Sequence, residues 1–204
     1  MSLLQVKCHK FASTGNAGKL PVTQSQKFYF VRHGQTDANL SDLAAGAGWD
    51  IELNATGLEQ AKTLAASDHI KGCSDVKTIC VSPMLRARQT ADAINEVLKA
   101  PIVVIDELKE WHLGDWEKTP WHTLPDIYHP DTNPPNGEKQ LEFGLRIAAG
   151  LNSALAQPGP ILIVAHGGVW HAVSRILKLP PGSIGNCAIK RVIKTDQDAQ
   201  WQLD

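Results

Sequence analysis

The sequence predicts an α/β protein built on a mostly parallel sheet, and three observations carry that prediction. From residue 27 onward, short apolar runs alternate with amphipathic segments. The runs FYFV, TICV, IVVI and ILIVA are continuously apolar, as strands buried on both faces are, instead of alternating apolar with polar. Between them lie stretches with helical spacing, and this strand–helix alternation belongs to a parallel sheet covered on both faces.

Taken in order, residues 1–26 are rich in Ser, Thr, Gly, Gln and Lys, show no lasting periodicity, and are expected to form a flexible N-terminal arm. Residues 27–204 are expected to form one domain. The run at 28–31 predicts the first strand. Residues 57–66 predict a helix, with Asn54 or Thr56 as its N-cap. A second strand follows at 78–81. Ser82 and Pro83 then open a helix through about residue 98, Ser as N-cap and Pro at the first helical position, where its missing N–H is harmless. Residues 102–105 are a third strand. A helix over 138–156 is stopped by Pro158-Gly159-Pro160. Strand 161–165, helix 169–177, strand 188–193 and a short strand at 200–203 complete the chain. Residues 109–137 break the rhythm with three Trp, three His and five Pro, and an irregular segment of that length is more often functional than incidental.

Composition limits the function. Twenty Lys and Arg stand against 21 Asp and Glu, for a net charge of −1, which excludes a general polyanion or nucleic-acid binder. The longest aliphatic run, 161–165, is far short of the roughly 20 residues that span a membrane. Nor does the N-terminal sequence have the apolar stretch of a secretory signal. Cys8, Cys73, Cys80 and Cys187 form no Cys-x-x-Cys pair, so neither a disulfide scaffold nor a zinc knuckle is indicated. The expectation is a cytoplasmic protein with no nucleic-acid or membrane partner. Its oligomeric state stays open, a homodimer among the options.

In open α/β sheets, ligands bind beyond the carboxyl ends of the strands. Arg32, His33 and Gly34 follow the first run. Ser82, Pro83 and, a turn later, Arg86 follow the second. Glu107 and Glu110 follow the third, and His166, Gly167 and Gly168 the fourth. Two Arg, two His and acidic residues thus converge on one sheet edge. The helices starting near Pro83 and Gly168 offer backbone N–H groups suited to an anion. Guanidinium groups match phosphate oxygens bidentately, so the set describes a phosphate site that demands no metal and no cofactor. A lone His is usually structural and a lone Arg a solvated face; convergence at successive strand ends reverses that reading.

FYFVRHGQTDAN, ELNATGLEQA, CVSPMLRARQTA, LKEWHLGDWE, NGE and LIVAHGGV, in this order, resemble the motifs of the histidine phosphatase superfamily, the phosphoglycerate-mutase-like fold. The resemblance implies a three-layer α/β/α sandwich and a small phosphorylated metabolite as substrate. It also implies that His33 is the nucleophile, that Arg32, Arg86 and His166 hold the phosphoryl oxygens, and that Glu110 is the acid. Asn39 matches a phosphate-pocket asparagine of part of the family, with Gln35 and Gly167 as further substrate-binding candidates. Glu117 fits the family pattern with a structural role. Lys118 stands where the family usually has glycine, which puts the local turn in question. Apolar residues replace the mutase Arg and Tyr after Glu110, so a phosphatase is favoured. A mutase, or a catalytically silent protein that binds a phosphorylated ligand, is the alternative. The segment from 116 to 135 is expected to roof the pocket with an apolar-walled entrance. His112, His122 and His129 lack metal spacing, and His171, five residues after His166, is not expected to share its face.

Overall fold

The computed structural model describes residues 27–129, 131–194 and 200–204, so the predicted N-terminal arm lies outside the described residues. Strands β1 (Lys27–Arg32), β2 (Thr78–Val81), β3 (Ile102–Val104), β4 (Ile161–Ala165), β5 (Ile189–Lys194) and β6 (Trp201–Leu203) form one sheet in the order β3-β2-β4-β1-β5-β6. The four strands from β3 to β1 run parallel, with Phe28 opposite Ile161 and Thr78 opposite the same residue from the other side. β5 and β6 are antiparallel additions at one end.

Because successive side chains of a strand point to opposite faces, the apolar runs feed two separate cores. Phe28, Phe30, Ile161 and Ile163 pack with Phe143, Ile147 and Leu151 of α5 (Gln140–Leu155) and with Val169, Trp170 and Val173 of α6 (Gly167–Ile176). Tyr29, Val31, Leu162, Val164, Ile79 and Val81 pack on the other face. Their partners are Leu64 of α2 (Ala55–Ala66), Ile70 of α3 (Asp68–Lys71), and Ala87, Ala91 and Ile94 of α4 (Leu85–Leu98). Helices on both faces of a mostly parallel sheet give the three layers. The short helix α1 (Asp37–Leu40) follows β1 and is capped by Thr36, whose hydroxyl accepts from the Asn39 N–H.

Asn54 caps α2, its side chain accepting from the Gly57 N–H at 2.9 Å. The expected start of the next helix is corrected. α4 begins at Leu85, and neither Ser82 nor Pro83 belongs to it. The physical reason is competition for the Ser82 hydroxyl, which is fully buried and lies 2.7 Å from His166 Nε2. The Leu85 N–H, at the helix start, donates instead to Asp50 Oδ1 at 2.8 Å. Lys118 adopts φ 65°, the left-handed conformation that glycine takes most readily. The left-handed turn is made here by a lysine, whose ammonium lies over the Trp49 ring.

The irregular segment between β3 and α5 is ordered by packing. Trp111 is buried, stacks on Phe143 with ring centres 5.2 Å apart, and donates from its indole N–H to the Glu138 carbonyl at 2.7 Å. Three single 3₁₀ turns, Asp106–Leu108, Gly114–Trp116 and Trp121–Thr123, carry the chain across the sheet edge.

Phe30 sits at the junction of the central strand with α6, completely buried and tilted against Trp170 at 5.1 Å. Phe30→Ala is expected to destabilise the fold by about 3–5 kcal/mol, read as a lower denaturation midpoint at unchanged slope. A loss below about 1 kcal/mol would mean that the core closes over the space.

Candidate active site

The carboxyl ends of β1, β2 and β4 place Arg32, His33, Ser82 and His166 side by side, and the first turn of α4 adds Arg86. His33 is nearly inaccessible. Its Nδ1 lies 2.7 Å from the Gly34 carbonyl, which can only accept, so Nδ1 carries the proton and Nε2 keeps its lone pair. Burial first, then the Arg86 and Arg32 charges, hold its pKa well below the ordinary imidazole value. The ring is therefore neutral, the state a nitrogen nucleophile requires.

His166 faces His33 with ring centres 5.2 Å apart and is likewise held neutral, by burial and then by Arg86. The Met84 N–H donates to Ser82 Oγ at 3.4 Å, and among the described residues the acceptor within reach of the Ser82 proton is His166 Nε2. That arrangement leaves the remaining proton of His166 on Nδ1, which is buried without a partner.

The two guanidinium groups are held by carbonyls. Arg86 donates to the Gly46 oxygen at 2.9 Å and the Trp49 oxygen at 3.3 Å, and Arg32 to the Ile184 oxygen at 2.8 Å. Both Nε atoms are buried and unpartnered. Buried polar atoms left unsatisfied call for an explanation, and an anion between these groups supplies one.

The loop that holds Arg86 is fixed by Glu117. Its Oε1 accepts from the Gly48 N–H at 2.9 Å and the Leu113 N–H at 3.1 Å. Gly46, at φ 59°, and Gly48 lie so close that a Cβ on either would collide with this carboxylate. Glu110, across the cavity, accepts from the Trp111 N–H at 2.9 Å and, at the start of α6, from the Gly168 N–H at 3.1 Å. Both expected helix N-termini thus meet protein carboxylates, Asp50 at α4 and Glu110 at α6.

A cavity of about 280 Å³ gathers these groups. Its lining combines Arg32, His33, Arg86, Glu110, Asn39 and Gly167 with the apolar residues Leu43, Leu113, Trp121, Ile127, Tyr128 and Ile184. His166 lies behind this lining, fully buried. Asn39 Oδ1 accepts from Thr36 and from Asn186 Nδ2. Gln35 is not brought in. Its side-chain oxygen accepts instead from Asn54 Nδ2 at 3.1 Å. Glu107, Lys118 and Lys139 do not line the cavity either.

Two histidines and two arginines from three strand ends and a helix thus meet at one cavity. Residues 28–203 fit the histidine phosphatase superfamily (branch 1). The chain belongs to that superfamily, on its phosphatase side. It is similar to the "Uncharacterized phosphatase PhoE" of Bacillus subtilis, 42% identical over 146 residues, 70% of this chain and 72% of the relative. It is also similar to the "Probable phosphoglycerate mutase GpmB" of Proteus mirabilis, 31% identical over 191 residues, 85% of this chain and 86% of the relative. Among solved structures it resembles a mycobacterial glucosyl-3-phosphoglycerate phosphatase complexed with VO3, at TM-score 0.74 and 26% identity. That likeness covers 88% of this chain and 98% of the other.

Within this histidine phosphatase, sequence reasoning missed the contact of Ser82 with His166 and the place of His171. The His171 ring stacks on Tyr128 with centres 3.7 Å apart and helps to line the cavity, because α6 turns this position towards the irregular segment. Burial, with Arg175, lowers its pKa as well.

Two outcomes are expected. Glu117→Ala removes the acceptor for two N–H groups and loosens the carbonyl that holds Arg86. Inorganic phosphate should then bind about tenfold more weakly, roughly 1.4 kcal/mol, while Glu117→Gln, which keeps an oxygen at the same place, should bind nearly as the parent does. Equal affinity in Glu117→Ala would detach Glu117 from the site.

The second concerns pH. His33, His166 and His171 all have folded-state pKa values below the ordinary imidazole value. Below about pH 6.5 the unfolded chain binds protons that the folded chain refuses. Their contribution to stability is complete above that pH and is lost as pH falls towards the folded values. The melting temperature should fall from pH 7 to pH 5, and His171→Phe should flatten the slope; an identical slope in that variant would contradict the shift at His171.

Proposed function

We propose that this histidine phosphatase is a metal-independent phosphomonoesterase that works through a phosphohistidine on His33. The observation that carries the reading is the neutral, buried His33 with a free Nε2 lone pair, set beside two guanidinium groups, of which Arg86 has only the half-exposed Asp50 at 4.0 Å and Arg32 makes no ion pair among the described residues. The Nε2 lone pair forms a bond to phosphorus as the ester P–O bond breaks. Arg32, Arg86 and the Nδ1–H of His166 bind the phosphoryl oxygens and stabilise the charge that spreads over them. Glu110 donates a proton to the departing alcohol oxygen. It then takes a proton from the water whose oxygen attacks phosphorus as the P–N bond breaks. Phosphate leaves, His33 regains its lone pair and Glu110 its proton. Asn39 and Gly167 flank the bound phosphoryl group.

The finer reading concerns the alcohol. The cavity lining includes Leu43, Leu113, Trp121, Ile127, Tyr128 and Ile184 and no lysine, and its basic groups other than the two arginines are His33 and His171, both with lowered pKa. An unpaired second anion there would lose its hydration without compensation. The substrate is therefore a small metabolite that carries one phosphate on an uncharged alcohol.

The test is phosphate release in excess chelator from an uncharged aryl phosphate, a phosphorylated hydroxy acid and a bisphosphate, for the parent and His33→Ala. The expected result is chelator-insensitive turnover that vanishes in His33→Ala, with kcat/KM for the aryl ester at least about tenfold above the two anionic substrates. An acid-labile phosphoenzyme should be trapped on His33 during turnover. Activity that survives His33→Ala, or that needs added metal, would overturn the reading; a preference for the bisphosphate with transfer to a second alcohol would establish the mutase alternative.

A further inference from the structure

Arg146 touches nothing in the cavity, yet it makes more directed contacts than any other side chain near it. It projects from α5, the helix that covers one sheet face, and reaches back under the segment that carries Glu110. Its Nε and Nη2 meet both oxygens of Glu138, at 2.8 and 2.7 Å, in the two-pronged geometry that fixes a guanidinium in plane. With the plane fixed, Nη1 donates to the carbonyls of Glu107 at 2.8 Å and Lys109 at 2.9 Å, and Nη2 to that of Glu110 at 3.1 Å. The Phe143 ring lies under the guanidinium at 5.2 Å.

The other anchor of this arrangement, Glu138, is tied to the same segment by its backbone. Its N–H donates to the His112 carbonyl at 2.9 Å, and its carbonyl accepts from the Trp111 indole at 2.7 Å. Residues 107–112 are thus gripped through four carbonyls and one indole by a single Arg–Glu pair. No helix or strand hydrogen bonding holds this stretch beyond the 3₁₀ turn Asp106–Leu108, so these contacts, with the Ala47 N–H that donates to the Trp111 carbonyl at 3.0 Å, set where the Glu110 backbone lies. The carboxylate then needs only the Trp111 and Gly168 N–H groups to be aimed.

We infer that Arg146, braced by Glu138, is a positioning residue for Glu110 and thereby for proton delivery to the leaving oxygen. The inference rests on the acid role proposed for Glu110. Arginine is required because the task needs a planar fork serving a carboxylate and three carbonyls at once; an ammonium has three donors and no such plane.

Proton delivery matters in proportion to how poor the leaving group is, and a merely structural role would not have that dependence. The experiment therefore measures kcat/KM, which reports steps up to departure of the alcohol, across substituted phenyl phosphates graded in leaving-group acidity. It compares the parent, Glu110→Gln, Arg146→Lys and Arg146→Ala. Inorganic phosphate inhibition is measured in each to show that the arginine–histidine pocket is intact.

The parent should show a shallow dependence and Glu110→Gln a steep one, since a positioned acid contributes about 100–10,000-fold. Both Arg146 variants should steepen the dependence, with the poorest leaving group slowed about 10–100-fold and the best less than about threefold, at unchanged phosphate inhibition. Steep Glu110→Gln with shallow Arg146 variants, or a uniform loss across the series, would overturn the positioning role alone. A shallow Glu110→Gln would overturn the acid role and the inference with it. Arg146→Lys keeps the charge beside Glu138 and supplies the answer should Arg146→Ala not fold.

Discussion

Two guanidinium groups and a histidine share a buried corner, and the rest of the site follows from that electrostatic constraint. Arg86 is 1% exposed, and its nearest carboxylate, Asp50, is 4.0 Å away and half exposed. Burying an ion without a matched partner costs several kcal/mol even after relaxation. Carbonyls of Gly46, Trp49 and Ile184 offset part of that cost, but both Nε atoms stay without a partner. An anion with several acceptor oxygens suits these donors. Burial first, and then the same positive charge, keeps His33 unprotonated. The charge that suits the corner to an anion therefore also favours the neutral ring beside it.

Such a corner has to be built from parts that cannot relax away from one another. The strand ends are the rigid part, fixed by the sheet register and by two apolar cores. The loops are the adjustable part, and each is tied down by an ionic residue that does not face the cavity. Glu117 ties the loop whose carbonyls orient Arg86. Arg146 ties the segment that presents Glu110. The two clamps use opposite charges for the same purpose, since a carboxylate collects backbone N–H groups and a guanidinium collects carbonyls. Each loop thereby satisfies polar backbone atoms that no helix or strand would satisfy.

The sheet, its mostly parallel sense and the strand-end residues were legible in the sequence because buried strands leave continuous apolar runs and the site lies directly after them. What was not legible depends on contacts between distant residues. Ser82 has every local feature of a helix cap, and only its proximity to His166, 84 positions later, diverts it. Gln35 lies two residues from His33, yet Asn54 draws its side chain away from the cavity. Arg146 looks like an ordinary polar position on an amphipathic helix; its partners lie at 107–110 and at 138. His171 was set aside because spacing alone separates it from His166, whereas what brings it to the cavity is the ring of Tyr128. β5 and β6 are legible as strands at 188–193 and 200–203 even though their half-buried faces break the continuous apolar run that marks the other four.

The likeness to both phosphatases and a mutase makes the outer wall of the cavity the informative region. Transfer of the phosphoryl group from the ester oxygen to a histidine nitrogen is the same act in either case, so the roles proposed for His33, Arg32, Arg86 and His166 do not discriminate between them. A mutase must in addition retain a substrate that keeps a second anionic group, and for that it needs a second cation. The lysines at 118 and 139 are directed elsewhere, one over Trp49 and the other at the groove beside α5. His171 is the remaining basic group beyond the arginines, and burial against Tyr128 keeps it neutral. The cavity lining among the described residues thus offers no lysine to a second anionic group, and this is the feature that separates the proposed hydrolysis from the mutase alternative.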